Sequence, residues 1–177
     1  MTKSVARAGF FWMGLHFTLE VRLLTDQVII EMQFKPYSAS NFAACVELFD
    51  LNCPSFFAVE EREDYVKFLT ANPGNYLLHY EQEVLVCCFG IGALSVPAPS
   101  LNWIMVHPDH QRSGYGHKMM TYFIDELTRH SKDSALIATS QHAKAFFGKY
   151  GAEELSFEEN GWGPGMHRID MKMPLVS

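Results

Sequence analysis

The stretch that most constrains this chain is Val106-His-Pro-Asp-His-Gln-Arg-Ser-Gly-Tyr-Gly116. It reads as the end of a buried strand, a tight turn and the start of a helix. The strand is Leu101-Asn-Trp-Ile-Met-Val106, rich in β-branched and aromatic residues. Pro108 ends it, because proline has no N–H for a ladder. Gly114 and Gly116 open a helix that runs on from Tyr115 to about Ser131. A glycine-rich turn at a helix N-terminus presents unpaired N–H groups and the positive end of the macrodipole, so it suits phosphate.

The spacing selects among phosphate loops. A P-loop needs G-x-x-x-x-G-K-[ST], and a dinucleotide fold needs G-x-G-x-x-G. Gln111-x-x-Gly114-x-Gly116 is neither. With Trp103, Val106 and Pro108 upstream and an amphipathic helix downstream, it resembles the Q/R-x-x-G-x-G/A loop of the GNAT superfamily of N-acetyltransferases. That resemblance implies an α+β fold, a three-layer α/β/α sandwich. Its sheet would be mixed and mostly antiparallel, with a central parallel pair splayed to hold CoA. It also implies acetyl-CoA as cosubstrate, with its pyrophosphate in this loop.

The chain has 177 residues, 48% of them hydrophobic, enough for a packed core. A net charge of −6 argues against non-specific nucleic-acid or anionic-membrane binding as the main task. The four cysteines, Cys45, Cys53, Cys87 and Cys88, lack zinc spacing and read as reduced thiols in the cytoplasm. Cys45, Cys87 and Cys88 read as small core residues. His107 and His110 flank Pro-Asp, but no cysteine or carboxylate cluster completes a metal site.

Residues Met1 to Glu31 stand apart. Lys3 and Arg7 precede the apolar run Phe10 to Phe17, yet His16 and Glu20 interrupt it and no small-x-small cleavage site follows. The pattern of the domain begins at Met32, so residues 1–31 read as an N-terminal extension and 32–177 as one domain. An added strand or helix and a membrane-surface anchor are the alternatives.

From Gln33 a short strand ends at Pro36, and Ser38 or Ser40 can cap the next helix. Phe42, Val46 and Phe49 mark its buried face. A second helix spans about Val59 to Thr70, with Tyr65, Phe68 and Leu69 as its apolar side. Its acidic front, Glu60, Glu61, Glu63 and Asp64, is either a solvated face or a rim attracting cationic substrates. Tyr76 to Tyr80 is a strand. Val84 to Leu94 is a continuous apolar strand buried on both faces, on which Cys87 and Cys88 point oppositely. Gly90 and Gly92 mark a bulge or a close approach.

After the loop, Tyr115, Met119, Phe123 and Leu127 recur every four residues, with charges opposite, as on a helix packed against a sheet. Ala135 to Thr139 is a strand, parallel to the one before the loop because a helix connects them. Ser140 to Ala152 resembles the second GNAT signature. Ala143 and Gly151 match it; Ser140 stands where the family often has Asn, and Phe147 where it often has Tyr. Glu153 to Glu159 and His167 to Met173 read as a final hairpin around Asn160-Gly-Trp-Gly-Pro-Gly165. Trp162 is there either a lid over the acceptor or packed on its own hairpin. The likeness covers roughly Met32 to Pro174.

By resemblance, backbone groups of Ile104, Met105 and Val106 hold pantetheine as an added strand. Gln111, Arg112, Ser113, Gly114, Tyr115, Gly116 and His117 surround the pyrophosphate, and Ser140 and Phe147 lie against the cofactor. The implied reaction is acetyl transfer from acetyl-CoA to a primary amine of a small molecule or peptide, by direct attack on the thioester. A CoA-binding regulatory module with little turnover is the alternative, because the usual Tyr is absent. Tyr150 and Ser140 are the candidate acids. No residue identifies the base: Asn102 and Ser100 are not effective ones, and His79, Glu81 and Glu83 lie on a neighbouring hairpin. A homodimer is left open.

Overall fold

A computed structural model describes residues 32–175. The expected extension, residues 1–31, lies outside the described residues. Seven strands form one sheet in the order β1-β2-β3-β4-β5-β7-β6. They are β1 (Lys35–Pro36), β2 (Tyr76–Glu81), β3 (Val84–Ile91), β4 (Ser100–Val106), β5 (Ser134–Thr139), β6 (Glu153–Gly163) and β7 (Met166–Pro174). The helices are α1 (Phe42–Asn52), α2 (Arg62–Thr70), α3 (Tyr115–Arg129) and α4 (Lys144–Gly148). Every pairing is antiparallel except β4 with β5, which α3 connects.

Two cores lie on opposite faces of the sheet. On one face, Met119, Met120, Phe123 and Leu127 of α3 pack on Val86, Cys87 and Phe89 of β3. On the other, Cys45, Leu48 and Phe49 of α1 and Tyr65 and Leu69 of α2 pack on Leu85 and Cys88. Cys87 and Cys88 thus face opposite layers, as strand alternation requires. The buried stripe of α1 is Cys45, Leu48, Phe49 and Asn52. Phe42 and Val46, expected inside, are only half-buried, because the sheet lies about one residue round the helix from the stripe that hydrophobicity alone marks.

Strand β3 stops at Ile91, before the expected Leu94. A side chain on Gly90 would approach Asn102 Cβ and the Tyr76 ring to 3.2 Å, which accounts for that glycine by close approach. The register of β3 against β4 shifts between Cys88 and Gly90, and Trp103 takes a positive φ of 46° opposite. This bulge is held from below. The Tyr76 hydroxyl lies 3.2 Å from the Trp103 carbonyl oxygen, 2.9 Å from Cys88 Sγ and 2.8 Å from the Tyr65 hydroxyl.

Strands β4 and β5 pair only at Ser100–Leu136 and Leu101–Ile137. Beyond that they part, and the ladder of β4 has no partner on that side. The final hairpin differs from its expected form. Its strands run through Gly163 and from Met166, with an irregular register between Glu158 and Gly163, so the glycine-rich segment is mostly strand rather than loop. Asn160, at φ 56°, accepts on its side chain from the Gly165 N–H at 2.7 Å and braces the tip.

Candidate active site

The phosphate loop is built by consecutive turns. The His107 N–H donates to Val86 O at 2.7 Å, and a 3₁₀ turn over Pro108–His110 follows. Arg112 and Gly114 both have positive φ, 61° and 88°, and the second position requires glycine. The amides of Arg112, Ser113 and Gly114 have no hydrogen-bond partner among the described residues. Those of Tyr115, Gly116 and His117 form the first turn of α3, where no carbonyl precedes them. Successive free donors at the positive end of a fifteen-residue helix form an anion cradle.

The loop is fastened by Tyr115. Its hydroxyl donates to Glu81 at the β2–β3 turn, and its ring lies between His79 and His110. Glu81 is held below the usual carboxylate range, chiefly by that hydroxyl and further by His110, His79 and Lys118. The same contact pushes the Tyr115 phenol up to about 12. Tyr115 therefore offers a phosphate its backbone, not its side chain. Gly116 lies under Phe146 of α4: a Cβ there would sit 3.2 Å from the ring.

Where β4 and β5 part, a cavity of about 730 Å³ opens. One flank carries Ile104, Met105 and Val106, and the loop end carries Gln111, Arg112, Gly114, Tyr115, Gly116 and His117. The opposite flank carries Thr139, Ser140, Phe146 and Phe147. Of the residues expected around the cofactor, Ser113 does not line it; its hydroxyl donates to Gln111 O at 3.4 Å. Ser140 is 4% exposed, and its Oγ has no hydrogen-bond partner among the described residues. A buried orphan hydroxyl facing a cavity is a donor held for a ligand.

Tyr150 does not line the cavity. Its phenol lies 2.9 Å from His117 Nδ1, with the two rings stacked at 6.1 Å. Burial raises its pKa. Phe147 is 2% exposed and belongs both to the core and to the cavity wall. Asn102 faces the cavity with Ser100 Oγ donating to its Oδ1 at 2.9 Å; Glu81 and Glu83 do not line it.

Of the far end of the cavity, the sequence offered only Trp162 as a lid and the acidic front as a rim, each as one of two readings. That end is lined by Phe56, Phe57, Glu61, Trp103 and Trp162. The acidic run divides: Glu60, Glu63 and Asp64 are exposed, and Glu61 is 9% exposed. Glu61 ends a 3₁₀ turn over Val59–Glu61 and accepts from the Ala58 N–H at 2.7 Å. Burial raises its pKa to about 7, against the lowering effect of that hydrogen bond and with help from Asp64 and Glu60. A Glu three residues after the first capping position is half of a capping box, and that half was the available signal. Ala58, where Ser or Thr is expected, hid it.

Trp162 is half-buried, donates Nε1–H to Thr139 O at 2.9 Å and carries the Arg168 guanidinium over its ring at 4.7 Å. It both packs on the fold and walls the cavity. The hairpin also touches the 3₁₀ turn: a Cβ on Gly163 would lie 2.9 Å from Ala58 Cβ. The hairpin and the turn thus meet beside the far end.

The profile of the acetyltransferase (GNAT) family matches residues 45–152, which include the phosphate loop, both parting strands and α4. The chain belongs to the GNAT family. As a GNAT protein it is an N-acetyltransferase that uses acetyl-CoA. The GNAT fold recurs in solved structures. The ribosomal-protein-S18-alanine N-acetyltransferase from Escherichia coli is 16% identical, with a TM-score of 0.67 over 82% of this chain and 94% of that one. The aminoglycoside 6′-N-acetyltransferase from Enterococcus faecium is 16% identical, with a TM-score of 0.61 over 82% and 98%. An aminoglycoside 6′-N-acetyltransferase complexed with coenzyme A is 14% identical, with a TM-score of 0.64 over 82% and 98%. At such identities the likeness carries the fold and not the substrate. No curated protein matches this GNAT sequence. Among the described residues no helix is long and apolar enough to cross a membrane, and no three His, Cys, Asp or Glu side chains group to hold a metal.

Proposed function

We propose that the chain acetylates a primary amine of a small molecule or peptide, which attacks the acetyl-CoA thioester directly. The observation that carries this reading is one continuous cavity joining the phosphate loop, past the unpaired edge of β4 and the orphan Ser140 hydroxyl, to the end at Glu61, Trp103 and Trp162. A cosubstrate on one side and an acceptor on the other can meet there without leaving the protein.

The residues present fit the cofactor. The loop amides from Arg112 to His117 would bind the pyrophosphate, with the Arg112 guanidinium as the side-chain cation. Backbone groups of Ile104, Met105 and Val106 would pair with the pantetheine amides, and Ser140 Oγ would donate to it. When bound, acetyl-CoA supplies an activated acyl group. A backbone N–H of the β4 edge near the bulge would polarise its carbonyl.

The aromatic walls Phe56, Phe57, Trp103 and Trp162 support an acceptor with an apolar or flat body behind its amine. The four free thiols, three of them buried, fit a reducing cytoplasm.

Release of free CoA thiol, followed across polyamines, aminoglycosides, amino acids and short peptides, tests the reading. Amine-dependent release is expected. Tight acetyl-CoA binding without release on any amine would instead favour the regulatory module.

A further inference from the structure

Glu61 is the only buried charged side chain among the described residues. Nothing in its surroundings neutralises it. Arg62, the adjacent cation, is committed to Asp50, with Nε 2.7 Å from the carboxylate. Asn52, which lines the same cavity, donates to Leu48 O at 2.8 Å. One Glu61 oxygen accepts from the Ala58 N–H; the other has no hydrogen-bond partner among the described residues. A carboxylate so largely buried without a cation, with one oxygen still open to a cavity, is placed to be completed by a ligand.

We propose that Glu61 is the proton acceptor for the incoming amine, and that the site therefore takes its acceptor as a cation, received in the cavity end that Glu61 and Trp162 line. This rests on the acetyltransferase reading of the cavity. Phe57, Trp103 and Trp162 line the same end of the cavity as Glu61, and the hairpin meets the 3₁₀ turn where Gly163 approaches Ala58. A lysine-like ammonium has a pKa near 10.4, so only about one molecule in two thousand is neutral at pH 7. The raised Glu61 value, about 7, suits a group that must take a proton and then return it to water. The titratable groups whose charges reach it are Glu60 and Asp64 on its own segment and the Cys53 thiol after α1. The Arg168 guanidinium of the hairpin lies over Trp162 and is paired with Asp170. Arg112, Lys149, His110, His117 and His142 also line the cavity, from the phosphate loop and the segment after β5.

In the step, an ammonium N–H bond breaks, the proton passes to the free Glu61 oxygen and the electron pair stays on nitrogen. That nitrogen forms the C–N bond as the thioester C–S bond breaks with its pair going to sulfur. The nitrogen's remaining surplus proton goes to that sulfur. Glu61 then releases its proton to water.

The test compares the full-length protein with Glu61→Gln, which keeps an oxygen for the Ala58 N–H, with Glu61→Asp, and with Glu63→Gln as an exposed control. Carboxyl ¹³C NMR of the protein alone is expected to show a carboxylate titrating near 7 that vanishes in Glu61→Gln. With spermidine, lysine methyl ester and an alanine-initiated peptide as probes, kcat is expected to fall about 100-fold in Glu61→Gln and about tenfold in Glu61→Asp. The acid limb of the pH profile should be lost only in Glu61→Gln. Acetyl-CoA affinity by calorimetry should not change, and Glu63→Gln should behave as native. A Glu61 titration near the ordinary carboxylate value, or native turnover in Glu61→Gln, would overturn the role of Glu61 while leaving the transferase reading intact. Absence of transfer by the native protein on every probe, with acetyl-CoA bound, would overturn both. If Glu61→Gln does not fold, the NMR titration and Glu61→Asp decide.

Discussion

The indole Nε1 of Trp162 donates to the carbonyl oxygen of Thr139 at 2.9 Å. Thr139 ends β5 at the point where it has left β4, so a side chain from the last hairpin braces one lip of the cavity. Trp162→Phe removes this bond and keeps most of the aromatic wall. We expect a loss of about 1 kcal/mol in stability, a severalfold rise in KM for the amine and little change in acetyl-CoA affinity. Thermal unfolding and steady-state kinetics check this.

Gly114 combines a φ of +88° with a place at the centre of the free loop amides. Gly114→Glu imposes a left-handed conformation on an L-residue at a cost of about 1–2 kcal/mol and sets a carboxylate where a pyrophosphate would bind. Acetyl-CoA affinity should fall at least about 100-fold by calorimetry, a coupling of roughly 2.7 kcal/mol. Unchanged affinity would refute the loop assignment.

Tyr150 is bonded to His117 and does not line the cavity. Tyr150→Phe should therefore leave kcat within about twofold of native. Phe147 does line it, and Phe147→Tyr places a donor where the family often has one. A severalfold rise in kcat is expected, since a thiolate leaving group gains from a proton donor.

Glu61 also links pH to stability. Its folded value, about 7, lies above the ordinary 4.5, and burial is the chief cause. Between those values the native state holds more protons than the unfolded state, so stability falls as pH rises through that window. Glu61→Gln lacks this effect. It should match the native protein near about pH 4 and exceed it by up to about 3 kcal/mol above about pH 7. Parallel melting curves across that range measure the difference.

The hydroxyls of Tyr65 and Tyr76 meet at 2.8 Å beneath the Trp103 bulge. Tyr65→Phe should cost about 1 kcal/mol, or roughly 2–4 °C in Tm for a chain of this size. It should also loosen the β4 edge, seen as faster amide exchange at Trp103 and Ile104.

Much of the architecture was written locally. The four-residue recurrence of Tyr115, Met119, Phe123 and Leu127 specified a helix and its buried face. The apolar run from Val84 specified a strand covered on both sides, and Gln111, Gly114 and Gly116 specified an anion loop. In each case the physical cause acts over a few residues: hydrophobic period, backbone freedom or a missing N–H. Where the cause acted over longer distances, the local pattern misled. The buried face of α1 rotated from Phe42 and Val46 to Cys45 and Leu48 because the position of the sheet, not the helix, chose it. The glycine-rich tip became mostly strand because distant groups hold it: the Thr139 carbonyl accepts from Trp162, and the Gln141 side chain bonds Gly165 and His167.

The acceptor end belongs mostly to the second kind, although Trp162 and the acidic run were among its sequence candidates. In the sequence Glu61 is one acid among four, and Ala58 hides the capping spacing that would set it apart. Burial does so, at a cavity end shared with Trp103 and Trp162, about forty and a hundred residues further along the chain. A carboxylate changes its chemistry when water is taken from it, and only the packing of distant segments can take water away. The cofactor loop was therefore readable in the order of the residues, whereas the group that would face the amine came into view only when the chain closed over it.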